Sequence, residues 1–307
     1  MRILVTGASG FVGRAVLAPL LAAGAEVHAV SRAGGGTADG CIWHRADLME
    51  TGRVHALVGD VRPQIVLHLA WCVEHGRFWT DPANLDWVAA SLHLARAAAE
   101  AGASRFVATG TCYEYDWPGQ GKCRERETPT APHTLYDTSK DACRRILEAF
   151  FAQQGMDFAW GRLFFLYGPG ETPSRLVASI ARALVQGHKA PVSLGLAVRD
   201  FIDVRDAGAA LAALALSAAI GPVNIATGEG ISVANLAMKL GEIAGRPDLV
   251  QLGALEDRAG EPPVIVADTE RLISEVGFRP LRTIDGGLGD ALDYWASRLG
   301  QIDRTPG

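Results

Sequence analysis

Tyr136 and Lys140 stand four residues apart in Tyr136-Asp137-Thr138-Ser139-Lys140, at the start of a predicted helix. That spacing puts both side chains on one helical face. A phenol with a pKa near 10 is a poor proton shuttle at neutral pH, and an ammonium beside it favours the phenolate. At an effective dielectric of about 20, one charge about 4 Å away is worth roughly 4 kcal/mol, enough to bring the phenol down by roughly 3 toward neutrality. The pair is therefore expected to do acid-base work. Thr111, on the loop after a predicted strand over 106–109, adds a hydroxyl that can hold a carbonyl while Tyr136 delivers the proton. Tyr-x-x-x-Lys alone is usually a surface helix pair, so the assignment needs support from elsewhere in the chain.

That support is a glycine-rich turn, Thr6-Gly7-Ala8-Ser9-Gly10-Phe11-Val12-Gly13, at a predicted strand-to-helix junction. Gly7 permits the tight turn, Gly10 lets a pyrophosphate approach bare backbone, and Gly13 lets the helix pack close to the sheet. The helix N-terminus offers unpaired N–H groups to the phosphates. Gly7, Ser9, Gly10, Phe11 and Gly13 are thus placed against a dinucleotide. The second predicted strand ends in Ser31-Arg32, where an NAD-preferring protein usually carries a carboxylate for the ribose. Arg32, helped by Ser31, suits a 2′-phosphate instead, so NADP(H) is the preferred cofactor and NAD(H) the alternative. Asp47 and Leu48 are assigned to the adenine edge. Leu69, Ala70 and Thr109 are assigned to the cofactor floor.

The elements that must position these residues alternate from the start of the chain. Predicted strands cover 3–6, 26–30, 41–44, 65–69, 106–109 and 158–165, and predicted helices cover 11–23, 82–101 and 136–154, with Gly24 closing the first in a left-handed conformation. This is the pattern of βαβ units, so the fold class expected is α/β: a Rossmann-type doubly wound parallel sheet with a smaller C-terminal α/β substrate lobe. The cofactor-binding domain is placed at 1–165, with part of 196–226 returning to it. Residues 166–307, after the break at Tyr167-Gly168-Pro169-Gly170, form mainly the substrate lobe.

Among 307 residues, 49% are hydrophobic and 21% charged, and the net charge is −5. That balance removes the basic field nucleic-acid or anionic-membrane binding needs, so neither partner is expected. Five cysteines without a C-x-x-C pair give no disulfide framework and no metal site, and suit a reducing cytosol. The apolar start of the chain is too short for a signal-peptide core, and the apolar stretch 207–220 is too short to span a bilayer, which makes it a buried helix in a cytoplasmic protein.

With these residues in hand, the chain resembles, end to end, the extended short-chain dehydrogenase/reductases, the nucleotide-sugar epimerases, dehydratases and reductases. The resemblance rests on the glycine turn, His68-Leu69-Ala70, Thr111 before Tyr136 and Lys140, and Arg162 with Tyr167-Gly168-Pro169-Gly170. Arg199-Asp200-Phe201-Ile202-Asp203-Val204 and Asn224-Ile225-Ala226-Thr227-Gly228 extend it. It implies that Tyr136 is the acid-base group, that Lys140 orients the nicotinamide ribose, and that Thr111 polarises the reacting C–O group. It also implies that Arg199 and Arg258 grip a substrate diphosphate, that His75 and Glu74 border the sugar, and that a homodimer forms through the helices at 82–101 and 136–154.

The chain departs from the family at Phe165 and Trp87, each in place of a usual asparagine, and at Asp137 in place of a glycine. Cys112 and Tyr113 follow Thr111 where 4,6-dehydratases carry an acidic pair, and Glu114 stands two places late. Dehydration is accordingly disfavoured. The expected activity is NADPH-dependent reduction of a nucleotide-diphosphate 4-keto-6-deoxy sugar. An NAD-dependent 4-epimerase is the nearest rival, and a silent dinucleotide sensor a more distant one.

Overall fold

Aliphatic and β-branched runs form strands and the alanine-rich segments between them form helices, giving β1 (Arg2–Thr6), α1 (Phe11–Ala22), β2 (Glu26–Ser31), β3 (Ile42–Arg45) and α2 (Thr51–Val61). Next come β4 (Ile65–His68), α3 (Ala83–Glu100), β5 (Arg105–Thr111), α4 (Leu135–Gln154), β6 (Asp157–Leu163), β7 (Phe165–Tyr167) and α5 (Leu176–Val185). The remainder comprises β8 (Ala190–Pro191), β9 (Val198–Arg199), β10 (Phe201–Asp203), α6 (Val204–Leu216), β11 (Gly221–Ile225), β12 (Ile231–Ser232) and α7 (Val233–Ile243). It closes with β13 (Val250–Gln251), β14 (Val264–Ile265), α8 (Glu270–Ser274) and α9 (Ile284–Ile302). The computed structural model describes residues 1–302 except 37, 75, 118, 120, 258, 259 and 261.

Seven parallel strands form the central sheet in the order β11-β6-β5-β4-β1-β2-β3. The strand order reverses between β1 and β4, and the crevice outside the carboxyl ends of strands at such a point is where α/β sheets take ligands. Alternation along β1 sends Ile3 and Val5 to the face covered by α1 and α6 and Leu4 to the face covered by α2, α3 and α4. Each fully buried aliphatic side chain contributes about 1.5–3 kcal/mol. A third core, including Leu184, Leu236, Leu288 and Trp295, joins α5, α7 and α9.

Boundaries follow the sequence expectation within a residue or two at β1, α1, α3 and α4, and Gly24 has the expected positive φ of 76°. The apolar run 158–165 is corrected. It is not one strand: the Phe164 N–H donates to the Ile225 carbonyl and that of Phe165 to the Asp200 carbonyl, and β7 pairs with β10 in a separate two-stranded sheet. A continuous apolar run looks the same whether one sheet or two bury it. The stretch 207–220 lies largely in α6, whose residues are mostly buried. Among the described residues, no helix is long and apolar enough to cross a membrane.

Candidate active site

The turn between β1 and α1 is built from contacts that only glycine tolerates. Gly7 has a φ of +70°, and a Cβ on it would fall 2.7 Å from the Ala70 backbone nitrogen. The Leu69-Ala70 backbone therefore packs directly on the turn. A Cβ on Gly13 would fall 2.0 Å from the Gly7 carbonyl oxygen and 2.8 Å from the Ala8 Cα. Gly10 is the N-cap of α1 with no side-chain cap, which leaves the first N–H groups of the helix to a ligand. Gly13→Ala forces backbone against backbone, so the turn must open. We expect dinucleotide affinity to fall by about tenfold or more, read by calorimetric titration. Unchanged affinity would remove the turn from the cofactor site.

At the end of β2, the Ser31 hydroxyl donates to the Gly35 carbonyl at 3.0 Å and accepts the Gly34 and Gly35 N–H groups at 3.1 and 3.2 Å. It shapes the following loop while lining the cavity. Arg32 is exposed on the cavity edge, and its guanidinium makes no ion pair with another described residue. Asp47 accepts the Met49 N–H at 3.0 Å, and Leu48 is buried beside it.

Helix α4 begins with a capping box. Thr134 is the N-cap, its side chain accepting the Asp137 N–H, while the Asp137 carboxylate accepts the Thr134 N–H at 3.0 Å and that of His133 at 2.6 Å. Asp137, the departure from the family's glycine, is thus a helix-start residue. Tyr136 sits in that first turn, and its N–H donates to the Trp79 carbonyl at 3.1 Å. Phe78 and Trp79 pack edge-on against its ring at centroid distances of 4.8 and 5.9 Å, and Thr111 is among the groups that act on its hydroxyl. Lys140 is buried, donates to the Thr109 carbonyl at 2.9 Å, and holds its ammonium 3.8 Å from the centroid of Trp71.

These surroundings correct the expected ionisation. Burial pushes the Tyr136 phenol well above its ordinary value, and Glu114 and Cys112 push it the same way. The ammonium does not govern it, because Lys140 is turned to Thr109 and Trp71 and is itself lowered by burial to about 8. Desolvation outweighs the pairing that helical spacing suggests. Beneath the site, His68 joins Thr6 at 2.7 Å and Ser91 at 2.8 Å, and burial, with Lys140 nearby, holds it down to about 3, so it stays neutral.

The glycine turn, Arg32, Thr111, Tyr136 and Lys140 converge on one cavity of about 1450 Å³. Gly7, Ser9, Gly10, Phe11, Gly13, Ser31, Arg32, Asp47, Leu48, Leu69, Ala70, Thr109, Thr111, Tyr136, Lys140 and Arg199 all line it. The volume exceeds the 300–1,000 Å³ or so of a single drug-sized site, leaving room for two bound molecules. Arg199 is buried, donates to the Val198 carbonyl at 2.9 Å, and lies 5.5 Å from the Phe165 ring centroid. His75 and Arg258 lie outside the described residues. Glu74 lines the cavity and bonds Arg77 at 3.3 Å.

Sequence reasoning missed Phe78, Trp79 and Glu171. The buried Glu171 carboxylate lines the cavity, accepts the Ala178 N–H at 3.2 Å, and lies 3.9 Å from Arg175. An aromatic pair just before α3 was the available signal for the first two, and nothing local marks the third. Among the described residues no three His, Cys, Asp or Glu side chains gather as a metal site would.

A glycine turn at the sheet's reversal point, with a Tyr-x-x-x-Lys helix across the same crevice, defines an enzyme of the NAD(P)-dependent Rossmann class. The chain belongs to the NAD-dependent epimerase/dehydratase family, whose model matches residues 3–226. It is 26% identical to UDP-glucose 4-epimerase of Rhizobium meliloti, covering 97% of this chain and 98% of that protein. It is 27% identical to GDP-6-deoxy-D-mannose reductase of Pseudomonas aeruginosa, covering 97% and 98%. The crystal structure of Thermus thermophilus UDP-glucose 4-epimerase in complex with NAD superposes with a TM-score of 0.85 at 26% identity, covering 96% of this chain and 99% of that one.

Proposed function

We propose that this protein reduces the 4-keto group of a nucleotide-diphosphate 6-deoxy sugar at the expense of NADPH. The observation that carries the reading is that Tyr136 and Thr111 line one cavity with Arg32, which follows β2 where an NAD-preferring protein usually carries a carboxylate. The glycine turn fits the cofactor's pyrophosphate, since it brings bare backbone and the uncapped N-terminus of α1 to the cavity. Bound there, NADPH supplies hydride to a carbonyl carbon. Tyr136, which burial keeps protonated, gives its proton to the carbonyl oxygen, and Thr111 holds that oxygen by hydrogen bonding. Lys140 holds the ribose through its ammonium, steadied by Thr109. Arg199, and Arg258 from the sequence resemblance, answer the charge of the diphosphate.

The aromatic wall supports the sugar class. From Tyr136 it runs through Trp79 and Tyr113, 4.8 Å apart, to Phe165, 6.0 Å further on. Such a surface suits a methyl group and sugar C–H faces better than a hydroxymethyl group, which would be stripped of water without a partner. The residues after Thr111 do not favour dehydration, because burial raises the Cys112 thiol well above its ordinary value and the Glu114 carboxylate is engaged elsewhere. Residues 1–165 with part of 196–226 serve the cofactor, and 166–307 mainly the substrate. Two copies pair through α3 and α4, where Leu85 and Ile146 are exposed, and the protein works in the cytosol, where its five free thiols stay reduced.

The rival is a 4-epimerase that retains NAD, as the NAD complex of the Thermus thermophilus epimerase suggests. Stoichiometric loss of NADPH absorbance with a 4-keto sugar nucleotide separates the two, and cofactor-neutral interconversion would exclude reduction. Arg32→Ala should raise the NADPH KM about 10–100-fold and leave NADH use unchanged, the loss expected of a charged hydrogen bond. An equal effect on both cofactors would overturn the phosphate assignment.

A further inference from the structure

Glu114 lies behind the cavity wall and is fully buried. Its Oε1 accepts the Thr111 N–H at 2.9 Å and the Trp160 indole N–H at 2.9 Å. Its Oε2 accepts the Arg162 Nε–H at 2.8 Å and stands 4.0 Å from the Arg144 guanidinium. A Cβ on Gly110 would fall 2.1 Å from Glu114 Oε1 and 2.0 Å from the Trp160 indole nitrogen, so β5 must carry glycine there for the carboxylate to fold back beneath it. The contacts reach three elements: Thr111 ends β5, Trp160 and Arg162 belong to β6, and Arg144 is on α4, one turn past Lys140. Desolvating such a pair costs several kcal/mol per ion, so a buried ion pair is a weak source of stability. Its hydrogen bond to Thr111 and its charge near Tyr136 and Lys140 give it a better explanation.

We propose that Glu114 is a positioning residue: its carboxylate fixes Thr111 at the end of β5 and sets a negative charge behind the α4 face that carries Tyr136 and Lys140. The inference rests on the roles given above to those three residues. The groups that act on Tyr136 are Glu114, Cys112, Arg175 and Thr111, and those around Lys140 are His68, Cys143 and Glu114. Within this set Glu114 favours the protonated form of both the phenol and the amine. It therefore adds to burial in holding the proton on Tyr136 and, with Cys143, opposes burial at Lys140.

Two variants test this. Glu114→Gln keeps the size and an acceptor for the Thr111 N–H but removes the charge. Glu114→Asp keeps the charge but withdraws the oxygens. The Lys140 midpoint, read from the pH dependence of its acylation by acetic anhydride with peptide mass mapping, needs no sugar substrate. Starting near 8 in the unaltered protein, it should fall to roughly 7 in Glu114→Gln and stay in place in Glu114→Asp. Ketone reduction should lose about tenfold or more in kcat in both, with KM within about threefold. A midpoint unmoved by Glu114→Gln, or full kcat in Glu114→Asp, overturns the proposal, and a purely structural staple would lower Tm without moving the midpoint. Should Glu114→Gln not fold, the kcat of Glu114→Asp decides. If the midpoints move as stated but no ketone is reduced even by the unaltered protein, the charge role of Glu114 stands and the functional reading fails.

Discussion

Replacing Tyr136 by Phe should lower kcat for ketone reduction by about 10²–10⁴-fold, or about 3–5 kcal/mol in the barrier. The substitution removes one oxygen and keeps the ring that Phe78 and Trp79 enclose, so the first turn of α4 remains intact. The glycine turn and Arg32 lie apart from it along the cavity, and NADPH affinity should stay within about twofold. Because burial raises the phenol, the unaltered enzyme should show no alkaline loss of activity from Tyr136 near neutral pH. Such a loss belongs to Lys140, which gives up its charge as pH rises through about 8. Steady-state kinetics with a cofactor titration checks both, and a Phe variant retaining more than about a tenth of the activity would remove Tyr136 from the chemistry.

Glu171→Gln should stabilise the protein, increasingly so as pH rises. Burial pushes the Glu171 carboxyl up to about 8 from an ordinary 4.5. The folded state therefore holds a proton that the unfolded chain has released across that window. Stability from this group is fully present below 4.5, declines as pH rises, and is lost above about 8. Glutamine stays neutral throughout, and its amide oxygen can still accept the Ala178 N–H that helps start α5. The two proteins should melt together at pH 5. By pH 9 the variant should gain on the order of 3–5 kcal/mol, or about 5–10 °C in Tm. Thermal scans across that range decide the matter, and parallel curves would mean that Arg175, 3.9 Å away, holds the carboxylate ionised after all.

Much of the site was legible because its parts are written in contiguous residues. A Gly-x-x-Gly-x-x-Gly turn, a Tyr-x-x-x-Lys helix start and a threonine after a strand each depend on local geometry, which the chain repeats wherever those residues occur. Asp137 was legible as a departure, and only the capping box explained it. The single strand over 158–165 failed for the complementary reason: which sheet takes Phe165 is decided by Asp200 and β10, more than thirty residues away.

Residue types and spacing in the chain determined the doubly wound order of elements and the glycine turn, and marked Tyr136, Lys140 and Thr111 as candidates that the fold brings to one cavity. The folded arrangement decided their protonation. Lys140 meets a carbonyl 31 residues upstream at Thr109, and Glu114 meets Arg162, 48 residues on. Periodicity carries no information about such encounters, yet desolvation and charge are sums over everything that surrounds a group in space. A phenol that pattern alone would bring toward neutrality is therefore, once buried, held to its proton.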